Sequence, residues 1–161
     1  MDFFPAIWNV LHDGYITKIT GIVPGTLRLE VKINYLRTRF KEPGEVFHLT
    51  LGGCSRFAYR DFEDKETGGP FITDLAAIAD INLEILEAEI QDGIAKVVCA
   101  RRVGQGGELE VKASHGALAL DNERTVTIEE IIKVAEEYWA GLKGTKAILT
   151  PDTPSSPPTS S

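Results

Sequence analysis

Cysteine, histidine and methionine are scarce in this 161-residue chain, with two, three and one respectively. The cysteines, Cys54 and Cys99, lack the C-x-x-C spacing of a zinc or dithiol site, and both fall in runs that read as strands. A disulfide between them is open to the chain, but buried free thiols are the commoner state in a reducing compartment. No apolar run approaches the ~20 residues needed to span a bilayer. The N-terminal Met1-Asp2-Phe3-Phe4-Pro5 lacks the basic region and apolar stretch of a signal peptide. A cytoplasmic protein without a membrane role is expected. Positive charge is in deficit, 17 Lys and Arg against 24 Asp and Glu, for a net charge of −7. That argues against nucleic-acid binding, which needs cations to displace counterions from phosphates. It leaves solubility, or attraction to a basic partner.

What is present is ordinary for a globular protein, with 43% hydrophobic and 25% charged residues. The length fits one domain, placed at residues 1–144, followed by a disordered Ser/Thr/Pro-rich tail at 145–161. Pro5 suits the first turn of a helix, and Phe4, Ile7, Trp8 and Leu11 follow at helical spacing. His12-Asp13-Gly14 ends that helix, with Gly14 expected at positive φ. Residues 15–20 read as a strand and residues 26–34 as the clearest one. There Leu27, Leu29, Val31 and Ile33 face one way and Arg28, Glu30, Lys32 and Asn34 the other. After the turn at Pro43-Gly44, a strand at 45–51 puts Phe47, Leu49 and Leu51 inward. Gly52-Gly53 suggests a bulge or bend before residues 54–62 continue the sheet.

Residues 63–70 form a polar, Gly-rich loop, and 72–80 have helical character with Thr73 as the cap. Residues 83–91 fit either a helix or a strand. Asp92-Gly93, a hairpin turn followed by the β-rich residues 94–99, favours a short helix and then a strand hairpin. Gly104 to Gly107 turns the chain into an alternating strand at 108–113 that is expected to run on to Leu120. Last, Ile128, Ile131, Ile132, Ala135, Tyr138, Trp139 and Leu142 share one helical face. Thr127 and Glu130 form a capping box, and Gly144 is the expected stop. The expected fold is α+β: an antiparallel sheet of about six to seven strands, a short N-terminal helix and a C-terminal amphipathic helix.

Candidate chemistry is thin. His12-Asp13 resembles the metal-binding pair of HD-type phosphohydrolases, but those enzymes need further His and Asp ligands on helices. The remaining histidines, His48 and His115, lie in expected strands. The simpler reading is that His12 and Asp13 bond backbone groups in a turn. Gly104-Gln105-Gly106-Gly107 precedes a strand, so it is not a phosphate loop, which needs a helix N-terminus. Cys54-Ser55 has no G-x-S-x-G elbow around it. No catalytic residue, metal ligand or cofactor is assigned.

Two polar clusters remain as binding candidates. Arg37 and Arg39, with Lys41, form a basic patch beside Tyr35 and Phe40, and Arg101-Arg102 closes a strand. A patch of this kind suits a carboxylate or a phosphate but is more often a solvated loop face. Asp61, Glu63, Asp64 and Glu66 form an acidic rim that, with Glu129, Glu130, Glu136 and Glu137, could meet a basic protein.

Residues 11–16 (LHDGYI), 27–31 (LRLEV) and 47–54 (FHLTLGGC) together resemble a group of small bacterial proteins of unknown function. In these an HD-(A/G) turn opens an antiparallel sheet, and some similar-looking members are proposed immunity proteins of polymorphic toxin systems. The resemblance spans about the first 60 residues and the Tyr138-Trp139 helix and implies no catalytic residue. The first reading is therefore a non-enzymatic binding protein, such as an immunity-type inhibitor of a basic toxin. The alternatives are a small metal-dependent hydrolase using His12 and Asp13, and an assembly module pairing through a strand edge.

Overall fold

The computed structural model describes residues 3–62 and 69–149, with side chains up to residue 142. The chain is α+β, and its strands are all antiparallel. Helix α1 (Phe3–Val10) is followed by β1 (Tyr15–Gly21) and β2 (Gly25–Lys32). A short α2 (Asn34–Arg37) leads into β3 (Val46–Cys54) and β4 (Arg56–Asp61). After α3 (Leu75–Ile81) come β5 (Glu84–Gln91), β6 (Ile94–Ala100), β7 (Gly107–Lys112), β8 (His115–Leu120) and β9 (Thr125–Val126). Helix α4 (Ile128–Leu149) closes the described chain. The hairpin expected at Asp92-Gly93 is present, with φ of 56° and 78° at its two central residues, the two positive angles of a type I′ turn.

Among the described residues the sheet holds nine strands in the order β4-β7-β6-β5-β1-β2-β3-β8-β9. The count exceeds the expected six or seven because two long strands are each broken in two, at Ser55 and at Ala113-Ser114, and because β9 adds two residues. The halves remain partners: β3 pairs β8 from Phe47↔Leu120 to Gly52↔His115, and β4 pairs β7 from Arg56↔Lys112 to Asp61↔Gly107. Two backbone bonds bridge the break, Ser114 N–H to the Gly52 carbonyl (2.9 Å) and Ser55 N–H to the Lys112 carbonyl (2.8 Å). One continuous ribbon therefore joins the two ends of the strand order, and the hydrogen-bonded neighbours close a circuit. The bend depends on glycine. Gly53 sits at φ +58°, and a Cβ at Gly52 would fall within the His115 imidazole.

The weakest join of the circuit lies between β1 and β5, which share the single register pair Tyr15↔Glu84. Beyond it the strands part, and helices take over their edges. The Asn9 side chain serves as a strand partner for Ala88, accepting from its N–H (3.1 Å) and donating to its carbonyl (3.3 Å). Helix α3 packs along β1. It is capped by Asp74, whose carboxylate accepts from Ala76 N–H, and not by Thr73. Ile72 precedes the helix and bridges Tyr59 of β4. Asp13 takes the left-handed conformation at the end of α1, with φ 72°. Gly14, expected there, is instead needed for space, since a Cβ would lie 2.9 Å from both the Leu11 carbonyl and Val31 Cγ1.

The inward faces form one hydrophobic cluster. Ile7, Trp8 and Leu11 of α1 enter it together with Leu27, Leu29 and Val31 of β2, Leu49 and Leu51 of β3, and Val97 and Leu109 of β6 and β7. Each of these ten side chains is fully buried. Helix α4 joins the cluster through Ile128 and Ile131. Thr127 Oγ1 accepts from Glu130 N–H at 3.1 Å, so half of the capping box forms. The Glu130 carboxylate turns instead to Arg124, 3.1 Å away. The helix runs past Gly144 to Leu149. Most of the 145–161 tail and the Glu63 to Gly68 part of the loop lie outside the described residues. Among the described residues no helix is long and apolar enough to cross a membrane.

Arg37 reverses its expected place on a solvated loop face. It is 1% exposed, because α2 turns it inward beneath the turn that precedes β3. Its guanidinium donates to Asp121 Oδ1 (2.9 Å) and to the carbonyls of Val46 (3.1 Å), Glu42 (2.8 Å) and Pro43 (3.0 Å). Asp121 Oδ2 accepts from Glu45 N–H at 3.0 Å. Burial opposes the Asp121 charge, but the Glu45 N–H and the guanidinium outweigh it and hold the carboxyl below its ordinary value.

Two predictions arise here. Removing one member of a buried ion pair strands the other, so Arg37→Met should cost about 3–5 kcal/mol in urea unfolding, and Asp121→Asn, a third exposed, less. Because the Asp121 pKa is depressed, its contribution is complete above the unfolded value near 3.9 and fades as pH falls through the folded one. The acid-induced loss of stability should thus be shallower in Asp121→Asn than in the parent. Second, Cys54 and Cys99 are free and buried, and burial pushes the Cys99 thiol up to about 12. A disulfide-exchange reagent should titrate two thiols in denaturant and essentially none in the native protein.

Candidate functional site

Where α1 ends, its last turn meets the middle of α4. His12 Nδ1 lies 2.7 Å from the Asn9 carbonyl, and its Nε2 lies 3.7 Å from the Asp13 carboxylate. His12 thus bonds a backbone group of its own turn, as the simpler sequence reading expects, whereas the Asp13 carboxylate meets the His12 ring and not a backbone group. The imidazole stacks on Trp139, with centroids 5.7 Å apart and planes 16° from parallel. Tyr35, from α2, donates its hydroxyl to the His12 carbonyl at 3.1 Å. Its ring meets Tyr138 at 4.7 Å and Trp139 at 5.7 Å. Burial, then the neighbouring Asp13 charge, raises the Tyr35 phenol to about 12, so it stays a donor at any physiological pH.

This aromatic group ends an apolar groove of about 440 Å³ between α1 and α4. Val10 and His12 form one wall, and Ile132, Ala135, Trp139 and Ala140 the other. Asn9 and Glu136 stand at the polar margins. Trp139 remains 37% exposed and Leu142 46%. The apolar stripe of α4 is therefore sealed at its first turns and open over its middle. The exposed glutamates Glu129, Glu136 and Glu137 flank it, with Lys133 the cation among them.

The other candidates are scattered. His48 and His115 lie on β3 and β8 as expected. Among the described residues no group of three or more His, Cys, Asp or Glu converges to hold a metal, so the hydrolase alternative finds no donor set around His12 and Asp13. Arg39 is exposed, with its guanidinium 5.8 Å from the Tyr138 ring centroid at the edge of the aromatic group. Asp61 is engaged internally: Oδ1 accepts from the Tyr59 hydroxyl (2.9 Å) and from Arg101 Nη1 (2.7 Å). Glu63, Asp64 and Glu66 lie outside the described residues. Cys54 Sγ is buried and directed to the Arg56 carbonyl, 3.4 Å away. The glycines at 104–107 lead into β7 and not into a helix. The outer side of β4 is met at Tyr59 by the Ile72 bridge, and β9 is two residues long.

Sequence reasoning marked His12, Asp13 and the α4 stripe but not their convergence, and it had no signal for Tyr35 joining them through α2. No family model, curated protein or solved structure matches this chain.

Trp139→Ala removes a stacking partner from His12 and an edge contact from Tyr35. It should cost about 1–2 kcal/mol in urea unfolding, the scale of one partly exposed aromatic pair with its buried area. A loss above about 4 kcal/mol would instead mark Trp139 as part of the core.

Proposed function

We propose that this protein is a non-enzymatic binding protein, and that the groove between α1 and α4 receives a basic protein partner. The observation that carries the reading is the open apolar groove itself. Stable folds bury apolar stripes of this kind, and an exposed one rimmed by polar residues marks an interaction surface. Glu136 at its margin, on a chain of net charge −7, favours an apolar side chain presented beside a lysine or arginine. Charge complementarity speeds encounter and excludes acidic competitors, while the apolar insert supplies retention. The resemblance of residues 11–16, 27–31 and 47–54 to small bacterial proteins of unknown function, some similar-looking members of which are proposed immunity proteins, supports the same reading, and an inhibitor of a basic toxin is the partner relation that best fits both. This reading needs no reacting side chain, since occlusion of the partner suffices.

The test is co-expression with the product of the reading frame encoded beside it. Rescue of growth and a purified complex are expected. Ala140→Trp fills the groove from an exposed helical position and should abolish both, whereas Glu136→Lys should slow association most strongly at low salt. Neither rescue nor complex, or a complex indifferent to Ala140→Trp, would sink the proposal.

A further inference from the structure

A second cavity, of about 300 Å³, opens at the β1–β5 join. Register explains what lines it. Lys32 lies opposite Tyr15, Tyr15 opposite Glu84, and Glu84 opposite Ala100, forming one row across four strands. Directly opposed residues present their side chains on the same face, so Lys32, Tyr15 and Glu84 stand together. Just past the end of β6 the chain adds Arg101 and Arg102, and Asn82 enters from the turn before β5. Because β1 and β5 part after a single pair, this face has a recess where a regular sheet would be filled.

Three cations and one carboxylate line the recess, and two of the cations also face carboxylates outside it, Arg101 at Asp61 and Lys32 at Glu45. Arg101 donates Nη1 to Asp61 at 2.7 Å, which orients the guanidinium and leaves its other N–H groups available. Lys32 stands 3.7 Å from the Glu45 carboxylate, and both side chains are exposed. Arg102 is exposed and makes no ion pair among the described residues. Two arginine forks and an ammonium provide donors for the oxygens of a carboxylate or a phosphate, and Tyr15 and Asn82 add neutral ones. The volume matches the lower range of small-molecule sites.

We propose that this recess is a binding site for a small oxyanion-bearing ligand, a carboxylate or a phosphate, held by Arg101, Arg102 and Lys32. The site is separate from the α1–α4 groove and does not depend on what binds there.

The experiment is a titration of the ¹⁵N-labelled full chain at low ionic strength, with inorganic phosphate in one series and succinate in another. Saturable shifts at the amides of Tyr15, Asn82, Glu84, Arg101 and Arg102 are expected, and the series that saturates identifies the anion. Arg102→Ser, at an exposed strand end, should weaken binding about tenfold, the scale of one charge-assisted hydrogen bond. Lys41→Ser removes an equal charge from a distant turn and should leave the affinity unchanged. If neither anion gives saturable shifts at these amides, the proposal is overturned. Equal weakening by the two substitutions would overturn it as well, since that is the behaviour of general charge screening.

Discussion

The fold depends on one geometric constraint: two long strands must bend together without parting. β3–β4 and β7–β8 run as a single ribbon through the bend, and the bonds from Ser114 to Gly52 and from Ser55 to Lys112 hold it across the break. Without that continuity β4 and β8 would belong to separate sheets, each with an unpaired edge. With it, the inward faces of all the long strands meet in one core. Gly52 and Gly53 permit the bend by leaving His115 and Ser114 room to cross. A side chain at either position would set local strain against the closure of the whole circuit.

Polar groups complete what the ribbon begins, and they do so wherever regular pairing stops. Asn9 supplies Ala88 with the two bonds that β1 no longer provides. Arg37 gathers the carbonyls of the 42–46 turn, and Asp121 gathers its N–H groups. In each case a side chain substitutes for a strand, so backbone groups that would otherwise be stranded at an irregular edge are satisfied. This is a reason for a charged pair in so buried a place. It fixes the approach of β3 to the β8–β9 turn, a job that an apolar pair of similar size could not do.

How far the fold was legible in the sequence follows from range. Alternation at Leu27, Leu29 and Val31, the Asp92-Gly93 turn and the Thr127 cap are local signals, and each led to the correct element. The break at Ser55 left no comparable mark beyond two glycines, because what splits β3 from β4 is the choice of distant partners. Arg37 looked like surface for the same reason: its counter-charge, Asp121, is 84 residues away. Asn82 and Asp13 took left-handed positions suited to short polar side chains, but the pattern did not single them out from other loop residues. The candidate site fared similarly. His12 and the α4 stripe stood out individually, while their meeting required the fold, and Lys32, Tyr15 and Glu84 became a row only once register was known.

The uneven seating of α4 has a thermodynamic side. Its first turns are fixed by Ile128 and Ile131 in the core, whereas Trp139 and Leu142 rest at or above the rim. Lifting the helix beyond Trp139 therefore exposes less apolar surface than lifting its first turns, and the local opening free energy falls along its length. The opposite wall, α1, is buried through Ile7, Trp8 and Leu11 and sewn to β5 by Asn9. The groove thus pairs a fixed jaw with a compliant one, and its width belongs to the low-energy fluctuations of the native state. Ligands of somewhat different bulk could be gripped without disturbing the core beneath.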